Sequence, residues 1–185
     1  YAPENFDDSF HGTVTVRTAL QQSLNVPALQ ILNAVGPDRL MARLTNAGVR
    51  LVLPDNAAPG LAVGLGGAGV RLTDLAALYV ALARGVEPVS LHWQIADERT
   101  AKPLRRLFEP TAAWMIGDVL KGAPTPQNAL GGQIAFKTGT SYGYRDAWAV
   151  GFDRRRVIAV WMGRPDGAPV PGLAKLKALG FCFAR

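Results

Sequence analysis

The chain has 185 residues, 49% of them hydrophobic, and a formal net charge of +6 at pH 7. This is long enough for one globular domain with its own core. A single cysteine, Cys182, excludes an internal disulfide, and two histidines without a His-Glu-x-x-His spacing offer no zinc motif. We therefore expect no metal and no other cofactor.

The positive charge does not form a binding tract. Its densest run, residues 154–156, separates two strand-like segments, where a solvated hairpin turn is expected. No aromatic residues alternate with the basic ones, so we expect no nucleic-acid partner. No apolar run reaches the ~20 residues of a membrane helix.

Helical periodicity dominates the first two thirds of the chain. The first predicted helix begins near residue 13 and breaks at 23–25, and the second runs from near Pro27 to a stop at Gly36. Three more are predicted over 38–47, over 74–84 with Thr73 as N-cap, and over 110–121. Residues 1–12, 54–69 and 122–132 are expected to be irregular, and residues 86–107 show no clear pattern.

From residue 133 the hydrophobic period changes from about 3.6 to 2. Strands are predicted near 133–139, 146–152 and 157–162. Helices followed by a three-stranded antiparallel meander indicate an α+β fold in one domain. We expect a mainly helical subdomain over 1–131, sheet strands over 132–163 and an atypical C-terminal tail over 164–185, whose helical pattern is weak.

The first predicted strand ends in Lys137-Thr138-Gly139-Thr140. Lys-Thr-Gly is one of three signature elements of penicillin-recognising serine enzymes. At a strand end, Lys137 provides an ammonium for a proton network and Thr138 a hydroxyl for a substrate carboxylate. Gly139 allows close approach of another backbone, and the N–H of Thr140 is a candidate oxyanion donor.

Ser23 and Asn25 lie two apart, just before the second predicted helix. Taken alone, this spacing favours helix capping, because serine and asparagine are good N-cap residues. If Ser23 and Asn25 lie opposite the Lys-Thr-Gly strand, they can take part in catalysis. Ser23 would relay a proton to a leaving amine, while Asn25 would hold the substrate amide and a neighbouring ammonium.

Two other motifs in the chain are misleading. Residues 139–143 match Gly-x-Ser-x-Gly, which would make Ser141 a hydrolase nucleophile, but no histidine follows His92 and a strand, not a helix, is predicted next. Residues 64–69 match Gly-x-Gly-x-x-Gly, but no firm strand precedes them and the helix pattern resumes only at Thr73. We interpret residues 64–69 as a connector that permits close packing.

Three segments together carry a family resemblance: ALQQSLNVP at 19–27 with Asn5-Phe6-Asp7, FKTGTSYGYRDAWAVG at 136–151, and WMGRPDG at 161–167. They resemble the transpeptidase domain of class A penicillin-binding proteins, especially the 1C subgroup, from residue 1 to about 172. The resemblance implies part of the serine β-lactamase/transpeptidase-like fold. It also matches Ser23 and Asn25 to the second family motif and residues 137–139 to the third.

The family implies acyl transfer. A serine in Ser-x-x-Lys attacks the penultimate D-alanine of a peptidoglycan stem peptide, D-alanine leaves, and a neighbouring amine forms the crosslink; β-lactams acylate the same serine. The implied partners are stem peptides ending in D-Ala-D-Ala and, in the intact enzyme, β-lactams. Relatives also carry a glycosyltransferase domain and an N-terminal anchor that holds them at the periplasmic face of the bacterial inner membrane, neither of which is in this chain.

The first family motif is absent from these residues. None of the four serines, Ser9, Ser23, Ser90 and Ser141, is followed by lysine three positions later. The nucleophile is therefore expected outside this chain, which alone is predicted to be inactive. A D,D-carboxypeptidase or β-lactamase of the same fold, or a noncatalytic peptide-binding remnant, stays open as an alternative.

Overall fold

The structure is a computed structural model, and it describes residues 4–5, 9–54, 57–85, 89, 91, 105–125 and 131–173. The helices in these ranges are α1 (Val16–Gln21), α2 (Asn25–Val35), α3 (Pro37–Asn46), α4 (Leu72–Arg84) and α5 (Pro110–Lys121). The strands are β1 (Ala135–Thr140), β2 (Asp146–Phe152) and β3 (Val157–Gly163). The predicted α+β class is confirmed. Most of residues 86–107, which show no clear sequence pattern, and the tail from 174 lie outside the described residues.

The three strands form one antiparallel sheet in the order β1-β2-β3. Thr140 lies opposite Ala147, and Phe152 lies opposite Val157. β2 is the central strand and is largely buried, whereas Ile158 and Met162 on β3 are exposed. The predicted meander is therefore confirmed, with strand ends within two residues of those expected from the period.

The turn between β2 and β3 is built around Asp153. Its carboxylate accepts hydrogen bonds from the backbone N–H groups of Arg155 and Arg156, both at 2.7 Å. These two bonds lower the pKa of Asp153, because they favour the ionised form. The arginine run is thus the solvated turn that its position predicts.

Four of the five helix starts differ from the prediction by one to three residues, and capping explains the differences for α4 and α1. α4 begins at Leu72, so that Arg71 occupies the N-cap position and Thr73 lies in the first turn. Thr73 as N-cap is therefore wrong. The carboxylate of Asp74 in the first turn supplies negative charge near the helix N-terminus, so the helix begins without a capping hydroxyl.

α1 begins at Val16, three residues after the predicted start. The hydroxyl of Thr15 accepts a hydrogen bond from the backbone N–H of Thr18 at 3.0 Å and so defines the N-cap. Local capping chemistry at Thr15, rather than the hydrophobic period, determines where α1 begins.

The core lies between α4, α5 and one face of the sheet. Its buried side chains are Leu82, Ala113, Leu120, Ala135 and Phe152. α5 packs against α4, against β1 and against α1. Gly117 lies on α5 beside the ring of Phe152, where an added Cβ would sit 3.6 Å from it. α5 is therefore the helix that joins the sheet to the N-terminal helices.

The glycine-rich segment at 64–69 packs closely against α2. A Cβ added to Gly64 would lie 2.8 Å from Cδ2 of Leu32, and one added to Gly67 would lie 2.7 Å from the carbonyl oxygen of Ala62. Gly64 lies in a 3-10 turn, Leu61–Leu65, and Gly67 follows it and folds back on that turn. This agrees with the packing connector that the sequence indicates.

Tyr79 on α4 provides a test of the packing between α4 and the sheet. Its ring meets Phe152 edge to face, with centroids 6.2 Å apart and an angle of 68°. Burial raises the pKa of Tyr79 to about 12. The folded protein thus holds the phenol proton more tightly than the unfolded chain, so stability is complete below about pH 10 and falls as pH rises toward about 12.

We expect the free energy of unfolding to fall by about 2 kcal/mol across that range through Tyr79. Tyr79→Phe keeps the ring and removes the proton, so it should lose less stability at alkaline pH. Urea denaturation of both proteins between about pH 9 and about pH 12 measures the difference. Equal pH dependence in the two proteins would contradict the burial of this hydroxyl.

Candidate active site

Two segments that the motifs single out meet in space. The ammonium of Lys137 on β1 donates a hydrogen bond to the hydroxyl of Ser23, which lies 114 positions away in the sequence. The same ammonium donates to the carbonyl oxygen of Thr138 at 2.7 Å. The structure therefore brings Ser23 and the Lys-Thr-Gly strand to one place.

Ser23 lies in the short connection between α1 and α2. Its backbone is in the left-handed region, with φ of 58°, which is uncommon for a residue with a side chain. The N–H of Ser23 donates to the carbonyl of Leu20 at 3.3 Å, and that of Leu24 donates to Ala19 at 2.9 Å. Because Leu24 and Ala19 are both buried, the connection is anchored on either side of the exposed Ser23 hydroxyl.

Helix capping does not explain Ser23 and Asn25. The N-cap of α2 is Leu24, which makes no side-chain cap hydrogen bond. The capping interpretation is therefore wrong. Leu24 is held at this position because its side chain is buried, and the hydroxyl of Ser23 is directed at Lys137 instead of at the helix.

Asn25 is the first residue of α2, and its amide nitrogen donates to the carbonyl of Glu4 at 3.1 Å. The neighbouring Asn5 is buried, accepts a hydrogen bond from the N–H of Val26 at 3.1 Å and donates to the carbonyl of Ser9 at 2.7 Å. These bonds tie the N-terminal segment to the start of α2. The family resemblance includes Asn5, but no periodic pattern in a loop reveals that an asparagine is buried.

β1 presents backbone groups on the side away from β2. The N–H of Ser141 donates to the carbonyl of Asp146 at 3.1 Å, so Ser141 and Asp146 form a hydrogen-bonded pair. Hydrogen-bonded and non-bonded pairs alternate along an antiparallel ladder. The next pair, Thr140 with Ala147, is therefore non-bonded, and the N–H of Thr140 points away from β2. The carbonyl of Thr138 points the same way, which agrees with its contact to Lys137.

Gly139 has no packing role in the described residues. It is exposed, and a Cβ added to it would meet nothing within 4 Å. Its φ is not positive, so the turn chemistry of glycine does not account for it either. A strand-interior glycine weakens a sheet and often marks the close approach of a ligand or another backbone. Thr138 beside it is also exposed.

Ser141 has a structural position rather than that of a nucleophile. Its hydroxyl accepts a hydrogen bond from the N–H of Asp146 at 3.0 Å, closing the turn between β1 and β2. A 3-10 turn, Tyr142–Tyr144, and then β2 follow it, not the helix of a hydrolase nucleophile elbow. This supports the sequence-based rejection of Ser141.

Metal ligands do not cluster in the part of the chain that the structure describes, where no three histidine, cysteine, aspartate or glutamate side chains are placed to share an ion. Within the same ranges, the helices are all too short or too polar to cross a bilayer.

The model of the penicillin-binding protein transpeptidase domain family matches residues 3–168. The match covers most of the chain and includes every residue placed at the candidate site. The chain therefore belongs to this family, and the resemblance found in its motifs is confirmed.

Among curated relatives, the chain is similar to penicillin-binding protein 1C of Escherichia coli strain K12, with 48% identity over 176 residues that cover 93% of this chain and 22% of that protein. It is 29% identical to penicillin-binding protein 1B of Vibrio cholerae over 184 residues, covering 91% of this chain and 23% of that protein. The chain thus spans about a fifth to a quarter of the length of these relatives.

Solved structures show the same fold. The crystal structure of penicillin-binding protein 1A from Haemophilus influenzae is similar with a TM-score of 0.69 and 20% identity, covering 90% of this chain and 32% of that one. A peptidoglycan glycosyltransferase from Burkholderia ambifaria is similar with a TM-score of 0.62 and 26% identity, covering 85% and 59%. The described helices and sheet are thus part of a penicillin-binding transpeptidase fold.

The Asn5 contacts lead to a stability prediction. Asn5→Ala leaves the N–H of Val26 and the carbonyl of Ser9 without their side-chain partner, and should lower the free energy of unfolding by about 1 to 3 kcal/mol. Asn5→Asp keeps the acceptor for Val26 but buries a carboxylate against the carbonyl oxygen of Ser9, so it should destabilise the protein at neutral pH at least as much as Asn5→Ala. Urea denaturation at neutral pH should rank wild type above both variants, with Asn5→Asp no more stable than Asn5→Ala. An alanine variant as stable as wild type would rule out this anchoring.

Proposed function

We propose that this chain is the peptide-binding part of a D,D-transpeptidase that crosslinks peptidoglycan stem peptides. The acylated serine belongs to a Ser-x-x-Lys motif outside these 185 residues. The observation that carries the proposal is the hydrogen bond from Lys137 to Ser23, because an ammonium on β1 and a hydroxyl at the end of α1 lie side by side.

The proposed chemistry at this pair is proton delivery. When the serine outside this chain attacks the penultimate D-alanine carbonyl, the C–N bond to the terminal D-alanine breaks and the leaving nitrogen takes up a proton. Ser23 donates its hydroxyl proton to that nitrogen and receives one from the ammonium of Lys137. Asn25, two residues further on, is proposed to hold the substrate amide.

The edge of β1 is proposed to bind the substrate. The outward N–H of Thr140 is positioned to donate to the developing oxyanion, and the exposed hydroxyl of Thr138 to bind the terminal carboxylate. Gly139 leaves space for the peptide backbone to lie against the strand. The proposed ligands are stem peptides ending in D-Ala-D-Ala and β-lactams, which mimic them.

The same assignment implies a location and a division of the chain. We propose that the complete protein acts at the periplasmic face of the inner membrane, held there by a segment outside these residues. Within a single partial domain, residues 1–131 are proposed to be a mainly helical subdomain, residues 132–163 the sheet strands and residues 164–185 an atypical C-terminal tail. The 185 residues by themselves are inactive, because they lack the nucleophile.

Incubation with a fluorescent penicillin tests this function. The 185-residue chain should remain unlabelled, whereas the complete product of its gene should be acylated at a serine outside residues 1–185, identified by peptide mass mapping. Lys137→Ala in the complete product should slow acylation by about 100-fold or more.

Gly139→Val is a second variant for the same experiment, because a Cβ at this position of β1 would meet no described atom within 4 Å. It should slow acylation while leaving thermal stability unchanged or raised. An adduct on a serine of this chain, or full acylation of Gly139→Val, would refute the proposed site. Product analysis then separates the alternatives: hydrolysis of a stem peptide without crosslinking indicates a carboxypeptidase, turnover of penicillin to its hydrolysed product indicates a β-lactamase, and reversible binding without turnover indicates a noncatalytic remnant.

A further inference from the structure

α5 contacts both halves of the candidate site. β1, which carries Lys137, packs against one side of α5, and α1 packs against the same helix near its C-terminal end. Ser23 follows the last residue of α1 by only two positions. The distance between the Ser23 hydroxyl and the Lys137 ammonium therefore depends on how α1 is seated on α5.

One side chain makes the contact with α5 at the end of α1. Gln21 is the last residue of α1, and its amide nitrogen donates to the carbonyl of Val119 at 2.8 Å in a partly buried position. Val119 lies in the last turn of α5, and its carbonyl also accepts a hydrogen bond from the backbone N–H of Gly122 at 3.1 Å. The hydrogen bond from Gln21 is thus the second one to this carbonyl, and it fixes the end of α1 on the C-terminal turn of α5.

Gly122 provides the space for that contact. A Cβ added there would lie 2.3 Å from the amide nitrogen of Gln21, far inside van der Waals contact. The φ of Gly122 is −88°, a value that any residue adopts, so backbone conformation does not require glycine. The side-chain amide of Gln21 occupies the space that a side chain at position 122 would need, which explains the glycine there.

We propose that Gln21 is a positioning residue, which holds Ser23 within reach of Lys137 through its hydrogen bond to Val119. This inference rests on the proposed function, since it assigns Gln21 to the same proton path. Gln21 touches neither substrate nor the reacting atoms. Its effect is on the rate of the step that Ser23 serves, the protonation of the leaving nitrogen.

A neighbouring contact gives the control. The guanidinium of Arg17, one turn earlier on α1, pairs with the carboxylate of Asp118 on α5 at 2.6 Å, and both side chains are about half exposed. Exposed ion pairs contribute little to stability. Arg17→Ala therefore removes an α1 to α5 contact without moving the end of α1.

The experiment measures penicillin acylation of the complete gene product under saturating and subsaturating penicillin. Gln21→Ala should lower the acylation rate constant at saturation by about 10-fold or more, with the penicillin dissociation constant and the final labelled fraction unchanged. Arg17→Ala should acylate at the wild-type rate. Misfolding would instead reduce the labelled fraction, so the two effects are separable.

Gly122→Ala should slow acylation as Gln21→Ala does, because the new methyl group displaces the Gln21 amide. The double variant should be no slower than either single variant, since both changes remove one contact. A wild-type rate in Gln21→Ala, or a double-variant loss equal to the product of the single losses, would overturn the proposal.

A second measurement does not depend on catalysis. Backbone hydrogen exchange of Leu24, whose N–H donates to Ala19 beside Ser23, should be about 10-fold faster in Gln21→Ala than in wild type, and unchanged in Arg17→Ala. If penicillin does not acylate the wild-type product, the proposed function fails. The exchange rate of Leu24 then tests by itself whether Gln21 positions the connection that contains Ser23. Unchanged exchange at Leu24 in Gln21→Ala would overturn that positioning role in either case.

Discussion

The hydrogen bond between the Lys137 ammonium and the Ser23 hydroxyl joins segments 114 positions apart, and the arrangement of the site depends on it. Neither partner is deeply buried, so the bond itself contributes little to stability. Its geometry is instead maintained by the apolar packing on either side. Ala135 anchors β1 in the core, and the buried pair of Ala19 and Leu24 anchors the connection between α1 and α2.

The two anchors share one scaffold helix, α5, which contributes Ala113 and Leu120 to the core and packs against both α1 and β1. This arrangement separates stability from chemistry. The core residues hold the elements in place, while Ser23 between α1 and α2 and Thr138 and Gly139 on β1 are exposed. The left-handed φ of Ser23 is consistent with such a site, because backbone strain clusters where surrounding structure and function require it.

Features that depend on neighbouring residues along the chain are well predicted from the sequence. The period of 2 locates all three strands, and the arginine run with Asp153 predicts the turn between β2 and β3. Helix starts are less accurate, because cap rules consider one residue type at a time. They favoured Thr73 over the start at Leu72, where Asp74 in the first turn and the extended backbone of Arg71 determine the outcome.

Features that depend on residues far apart in the sequence could not be predicted from the sequence. The burial of Asn5 and the contact of Gln21 with Val119 both join segments that no periodicity relates. The exposed side of β1 follows only from the strand order and register, which place Thr140 in a non-bonded pair. The motifs thus indicate which residues matter, and the packing of α5 explains how they come together.

A crystal structure of the complete gene product after reaction with a penicillin would show whether Ser23 and Lys137 meet beside the bound ligand. We expect an acylated serine facing β1, with Oγ of Ser23 and Nζ of Lys137 within about 3.2 Å of each other and the penicillin carboxylate at Thr138. An adduct on another face of the molecule, or Ser23 and Lys137 more than about 6 Å apart in the acylated protein, would contradict this expectation.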